Sequence, residues 1–223
     1  MLIDATAPKN KPETAQMVVI HKAMRREFRL LPRLIATVSG SDTSRARLLV
    51  KHAELLLLFL HSHHDSEDRL LWPLLADRVP SAKDLTATME CQHQAMDDLI
   101  AALRPRLASW SAGGNTAREP LADHLTQLHA ALCEHLDAEE ARILPLVHDH
   151  VTVAEWEAME ADATEHLPRN PRLGLLLAGM VLEDATLAEQ AWFLNELPAA
   201  ARVMWRLAGR SLYASYIRRM RAA

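Results

Sequence analysis

HSHHDSEDRLLWPLL, residues 61–75, decides how this chain is read, because it returns in altered form as EHLDAEEARILPLV, residues 134–147. Both copies hold His-x-x-x-Glu followed six residues later by Pro: His63, Glu67 and Pro73 recur as His135, Glu139 and Pro145. All three pairs stand 72 residues apart, and IHKAM (20–24) against QHQAM (92–96) places His21 and His93 at the same offset. The chain therefore contains a duplicated unit. Each copy contributes one His from an earlier helix and a His/Glu pair from a later one.

Helical periodicity puts these residues on inward faces. Residues 14–38 carry Val18, His21, Met24, Phe28 and Leu31 at spacings of three and four, with Gly40 as the stop. Ser41 and Asp42 are N-cap candidates for a second helix to about residue 78, striped by Leu56, Leu60, His63, Glu67, Leu70 and Leu74. Pro73 lacks a backbone donor and is expected to kink or close the last turn. A third helix, 82–111, turns Met89, His93, Met96, Leu99 or Ile100, and Leu103 inward, and SAGGN breaks it. A fourth, 116–149, buries Leu121, Leu128, Leu132, His135, Glu139 and Leu146. Four long helices with short connections predict an all-α, up-down-up-down four-helix bundle over residues 14–150. Its pseudo-two-fold axis would set His21, His63 and Glu67 opposite His93, His135 and Glu139 at one level.

Residues 151–223 lie outside the repeat. Thr152 with Glu155 and Thr186 with Glu189 read as capping boxes, PRNP (168–171) separates helical segments, and the region is expected to pack on the bundle as a helical extension. Its last stretch, 198–223, has six arginines and no acid within a chain of net charge −4. The remainder is correspondingly more acidic, so this tail should dock within the chain or across a dimer rather than on nucleic acid or a membrane.

Six glycines in 223 residues, and no run of two-residue alternation, exclude a β protein. Cys91 and Cys133 make no disulfide framework, which suits a reducing cytoplasm. MLIDATAPKNKPET lacks the pattern of a signal peptide. LLLLFL and LGLLLAGMVL fall short of the roughly 20 residues of a membrane span, so a soluble, cytoplasmic protein is expected.

Four imidazoles and two carboxylates buried together require compensating charge. A pair of metal ions supplies it. Imidazole with carboxylate suits iron, manganese or zinc, and two carboxylates between two metals can bridge them. Two His per metal, with Glu67 and Glu139 shared, leaves positions for water, an oxo or hydroxo bridge, or a diatomic ligand.

With His21, His63-x-x-x-Glu67, His93 and His135-x-x-x-Glu139, and with the LLWPLL and RILPLV tails, the chain resembles the hemerythrin-like (HHE cation-binding) family over residues 14–150. The resemblance implies a non-haem di-iron centre, two iron ions with an oxo or hydroxo bridge, that binds or reacts with dioxygen, peroxide or nitric oxide. Its alternative is an oxygen, redox or iron sensor, or an iron-handling module, acting through a partner. Peroxide- or nitric-oxide-consuming turnover is open, and a second copy or a redox partner is the expected association. Oxygen carriers of the family have a second His on the third helix, four residues from the first, where this chain has Met89 and Asp97. That difference weighs against stable reversible oxygenation. Asp97, His64 or a residue of the extension is the candidate to complete the sphere.

Other histidines rank lower. His64 lies about 100° round its helix from His63 and is read first as an interface or outer-sphere group. His61 points away. His52 and His124 also obey the 72-residue offset but sit eleven residues before the paired His, roughly 16 Å along the helix, and are read as core residues of the far end. Cys91 and Cys133 are read as buried and inert. His129, His148, His150 and His166 fall at exposed or helix-end positions, and Tyr213 or Tyr216 would reach the bundle if the tail docks over it.

Overall fold

The computed structural model describes residues 11–112, 118–165, 167 and 170–222. The lead-in before residue 11, the glycine break after Ala112, the start of the fourth helix at 116, His166 and the first half of PRNP lie outside the described residues. Every regular element among those described is helical.

Helix α1 spans Ala15–Ala36 and closes at Thr37, before Gly40 is reached. Helix α2, Thr43–Ser66, starts where Asp42 accepts a hydrogen bond from the Arg45 amide at 2.9 Å, satisfying one free donor of the first turn. It runs without interruption through a π-helical turn, Glu67–Leu71, into α3, Trp72–Arg78. After a 3-10 turn at Pro80–Ala82 come α4, Lys83–Ser111, and α5, Arg118–Ala138. A second π-helical turn, Glu139–Ile143, leads into α6, Leu144–His150. The π turns stand 72 residues apart, so the duplication extends to backbone conformation. Each begins at the repeat's Glu, whose carbonyl accepts from the amide five residues on, Trp72 or Leu144.

That extra residue per turn corrects the expected stripe. Beyond Glu67 the buried positions are Leu71 and Leu75, while Leu70 is 39% exposed and Leu74 only half-buried. In the second copy Ile143 and Val147 are buried and Leu146 is half-buried. The ring of Pro73 or Pro145 would crowd the carbonyl four residues back in a regular α-helix, and a widened turn relieves it. Proline alone is not sufficient, since Pro32 and Pro105 sit inside α1 and α4 without one.

Helix α1 packs on α2 and α5, and α4 packs on the same two. One apolar cluster fills one end of this group with Met24, Phe28, Leu56, Leu60, Met96 and Leu132. A second fills the other with Val18, Leu71, Trp72, Met89, Ile143 and Trp156. Fully burying one such side chain contributes about 1.5–3 kcal/mol. Each repeated His lies, along its own helix, between a member of the first cluster and a member of the second. The polar residues therefore form a layer closed off by apolar packing on both sides.

The remaining helices are α7 (Val153–Glu165), α8 (Pro171–Glu183), α9 (Leu187–Glu196), α10 (Ala199–Met204) and α11 (Arg210–Arg221), with a third π turn at Trp205–Gly209. Both expected capping boxes form: Thr152 with Glu155, and Thr186 with Glu189. Asn170 caps α8 through the Arg172 amide. Helix α8 lies on α1, α11 on α8 and α2, and α7 on α2 and its π turn. Of the six tail arginines, Arg221 reaches both Glu27 and Glu183, whereas Arg206, Arg210, Arg218 and Arg219 are exposed. The tail is seated mainly by Trp205, Leu212, Tyr213, Tyr216, Ile217 and Met220. No helix among the described residues is long and apolar enough to cross a membrane.

Candidate metal centre

The six residues selected by the repeat converge, and all are buried. His21 Nε2 lies 3.3 Å from His63 Nε2, and His93 Nε2 lies 3.1 Å from His135 Nε2. The carboxylates stand between these pairs. Glu67 reaches His63 Nε2 with Oε1 at 3.3 Å and His93 Nε2 with Oε2 at 3.6 Å. Glu139 Oε2 lies 3.4 Å from His21 Nε2 and 3.7 Å from His135 Nε2. Each carboxylate thus touches one imidazole from each pair. All four carboxylate oxygens are buried without a hydrogen-bond partner.

The outward ring nitrogens explain why Nε2 faces inward. His21 donates Nδ1–H to Glu140 Oε1 at 2.9 Å, and His93 donates Nδ1–H to Asp68 Oδ1 at 2.7 Å. Asp68 and Glu140 are again 72 residues apart, and each acid orients the His of the opposite copy. Arg25 holds Glu140 with Nη1 at 2.6 Å and Asp137 with Nη2 at 2.7 Å, while the Trp72 indole donates to Asp68 at 2.8 Å. His135 donates Nδ1–H to Gln92 Oε1 at 3.1 Å. With both Nδ1 atoms occupied as donors, the Nε2 atoms of His93 and His135 present lone pairs to each other. Only a proton or a cation between them removes that repulsion.

Burial raises the Glu67 carboxyl well above its usual range, and Glu139 beside it adds to the effect; burial raises Glu139 too. Burial and then the neighbouring imidazoles push His63 well below the usual imidazole range. His135 is brought down to about 2 by burial and by His93. Glu140 behaves oppositely: burial opposes its charge, but hydrogen bonds from His21 and Arg25 hold its carboxyl low. Burial thus disfavours the charged forms of His63, His135, Glu67 and Glu139, while Glu140 is held in its charged form. A cation takes imidazoles in their neutral form and carboxylates in their ionised form, and its charge would offset the burial that raises Glu67 and Glu139. The donor set therefore fits metal ions, as do the close groups His21, His63, Glu139 and Glu67, His135, Glu139.

His64 departs from its expected place. It is 3% exposed, stacked on His93 with ring centroids 3.8 Å apart, and within ligand distance of His93 and His135. A helix flanked on two sides by others has an inner face wide enough for two neighbouring positions, so the 100° separation did not exclude it. Asp97 is exposed, Tyr213 donates to Glu183 and Tyr216 is bonded to His52, so none of these completes the centre. His52 is a core residue as expected, joining Glu27 at 3.2 Å and Tyr216 at 2.9 Å, and His124 is half-buried against the Leu99 carbonyl. Cys91 is exposed rather than buried, Cys133 is partly buried, and both are free.

Asp68 and Glu140 were missed in the sequence, although the offset marks them: both directly follow the repeated Glu. Gln92 has no such signal, since its counterpart is Ile20.

A helical protein that closes a layer of imidazoles and paired carboxylates between two apolar cores is built as a cation-binding bundle. The hemerythrin HHE cation-binding domain model matches residues 13–167, and the chain belongs to that family. No curated protein and no solved structure gives a significant match.

Proposed function

We propose that the centre holds two iron ions, one at His21 and His63 and the other at His93 and His135, with Glu67 and Glu139 bridging, and that it takes dioxygen, peroxide or nitric oxide. The observation that carries this reading is the span of the carboxylates. Each reaches both His pairs with oxygens that have no other partner. Bound iron would supply Lewis acidity and a redox couple for small oxygen- or nitrogen-containing ligands. The chain's own part is to fix the imidazoles through Asp68, Glu140 and Gln92, and to exclude bulk water with the flanking apolar layers. The same reading takes the four long helices as up-down-up-down over residues 14–150 with an extension over 151–223. The free cysteines fit a cytoplasmic protein, with a second copy or a redox partner as its association.

The sensing alternative has one observation in its favour. Helix α1, which carries His21, also grips the extension: Arg26 bonds Asp184 at 2.7 Å and the Met180 carbonyl at 2.6 Å, and Glu27 bonds Arg221 at 3.1 Å. A change at His21 would reach α8 and α11 through α1.

Metal analysis with absorption spectra of the anaerobically reduced protein, taken before and after air, peroxide and nitric oxide, tests the reading. Two irons per chain and a new visible chromophore with at least one of the three are expected. Stoichiometric zinc with no spectral response to any of them would overturn it.

A further inference from the structure

The duplication is not complete at the centre. The position after the repeated His is His64 in the first copy and Leu136 in the second, and both are buried. A leucine there needs nothing further. His64 does, because both of its ring nitrogens are buried without a hydrogen-bond partner. An imidazole with a hydrogen on one ring nitrogen carries a lone pair on the other. Its neighbours decide where that lone pair goes. His64 is stacked on His93 at 3.8 Å and meets His135 edge-on at 5.2 Å, while His63 is 5.7 Å away. Ligand atoms of His64, His93 and His135 lie within 4.8 Å of one another. The other groups able to complete the centre are exposed or committed elsewhere, as Asp97, Tyr213 and Tyr216 show.

We propose that His64 is a fifth imidazole ligand, bound only to the ion at His93 and His135, so that the two metal positions are chemically inequivalent. This rests on the two-metal reading above. The His93/His135 position then has three imidazoles and the His21/His63 position has two, with Leu136 standing where a sixth would come from. The imidazole that oxygen carriers take from the third helix is supplied here from the second.

Cobalt(II) added to the metal-free full-length protein tests this through stepwise affinity and through the hyperfine-shifted, exchangeable imidazole N–H signals in proton NMR. Wild type should bind two cobalt ions and show five such signals. His64→Leu, which installs the residue of the other copy, should weaken one site at least about tenfold, leave the other unchanged and show four signals. Two unaltered sites in that variant, with four signals in both proteins, would overturn the fifth ligand and leave the two-metal reading intact. Equal weakening of both sites would overturn the one-sided assignment. A wild type that binds no cobalt would overturn the underlying reading and this inference with it. Should His64→Leu lose its helical circular dichroism, the wild-type signal count decides, with five supporting and four contradicting.

Discussion

Glu27 and Glu67 are both buried acids on inward helix faces, yet their surroundings push them in opposite directions. Burial would raise Glu27 as well, but His52 and Arg26 more than reverse it and bring its carboxyl down to about 2, with Arg221 also in contact. Glu67 has no cationic side chain paired with it among the described residues, only the neighbouring acid Glu139 and the imidazoles, and it rises. The first acid is satisfied by the fold and the second is not. Glu27→Gln should therefore cost about 3 kcal/mol at neutral pH, since it removes the buried charge that His52, Arg26 and Arg221 share, even though Asp184 still holds Arg26. Because the folded carboxyl lies below its usual 4.5, its stabilisation is full above that value and is lost as pH falls towards 2. Chemical denaturation at about pH 7 and about pH 3 checks this: the gap between wild type and variant should narrow at the lower pH, and a constant gap would contradict the assignment. Comparing the repeats in the sequence selects His63 and Glu67 from a crowded HSHH cluster, because the second copy keeps one His. The same comparison understates His64, whose role depends on what α4 places beside it. Glu27 is not legible at all, since one acid on an apolar stripe gives no sign of partners on two other helices, His52 on α2 and Arg221 on α11.

At the scale of the element, the two π turns set which residues face the core after the repeated Glu. Heptad-like spacing projects Leu70 and Leu74 inward, and the structure turns Leu71 and Leu75 there instead. Periodicity assumes a constant angle per residue, and the i to i+5 bond from Glu67 to Trp72 breaks that assumption at one place. Leu71→Ala should destabilise by about 2–5 kcal/mol, and Leu70→Ala by less than about 1. Thermal or urea unfolding of the two variants checks this, and the reverse order would mean that α2 continues as a regular α-helix through residue 71. The π turns were not foreseen because their backbone bonds leave no composition signal. Pro73 and Pro145 mark the place but not the form.

Over the whole molecule, the repeat made the bundle and its centre legible, while the seating of residues 151–223 was legible only as a helical extension. Charge balance suggested arginine-driven docking, but of the six tail arginines only Arg221 reaches the Glu27 and Glu183 pair, and the tail is seated mainly by apolar and aromatic side chains. Close approach of α8 and α11 depends on a missing side chain: a Cβ on Gly179 would collide with the Tyr213 ring. Gly179→Ala should destabilise this contact by about 1–3 kcal/mol and speed protease cleavage within α9 to α11. Unchanged cleavage would mean that α11 is not seated on α8. The central claim, two metal ions held between two bridging carboxylates, is met most directly by anomalous diffraction at the iron edge from iron-loaded crystals. The account predicts two peaks about 3.5–4 Å apart, each beside one His pair and both in contact with Glu67 and Glu139. A single peak, or peaks that leave either carboxylate uncoordinated, would contradict it.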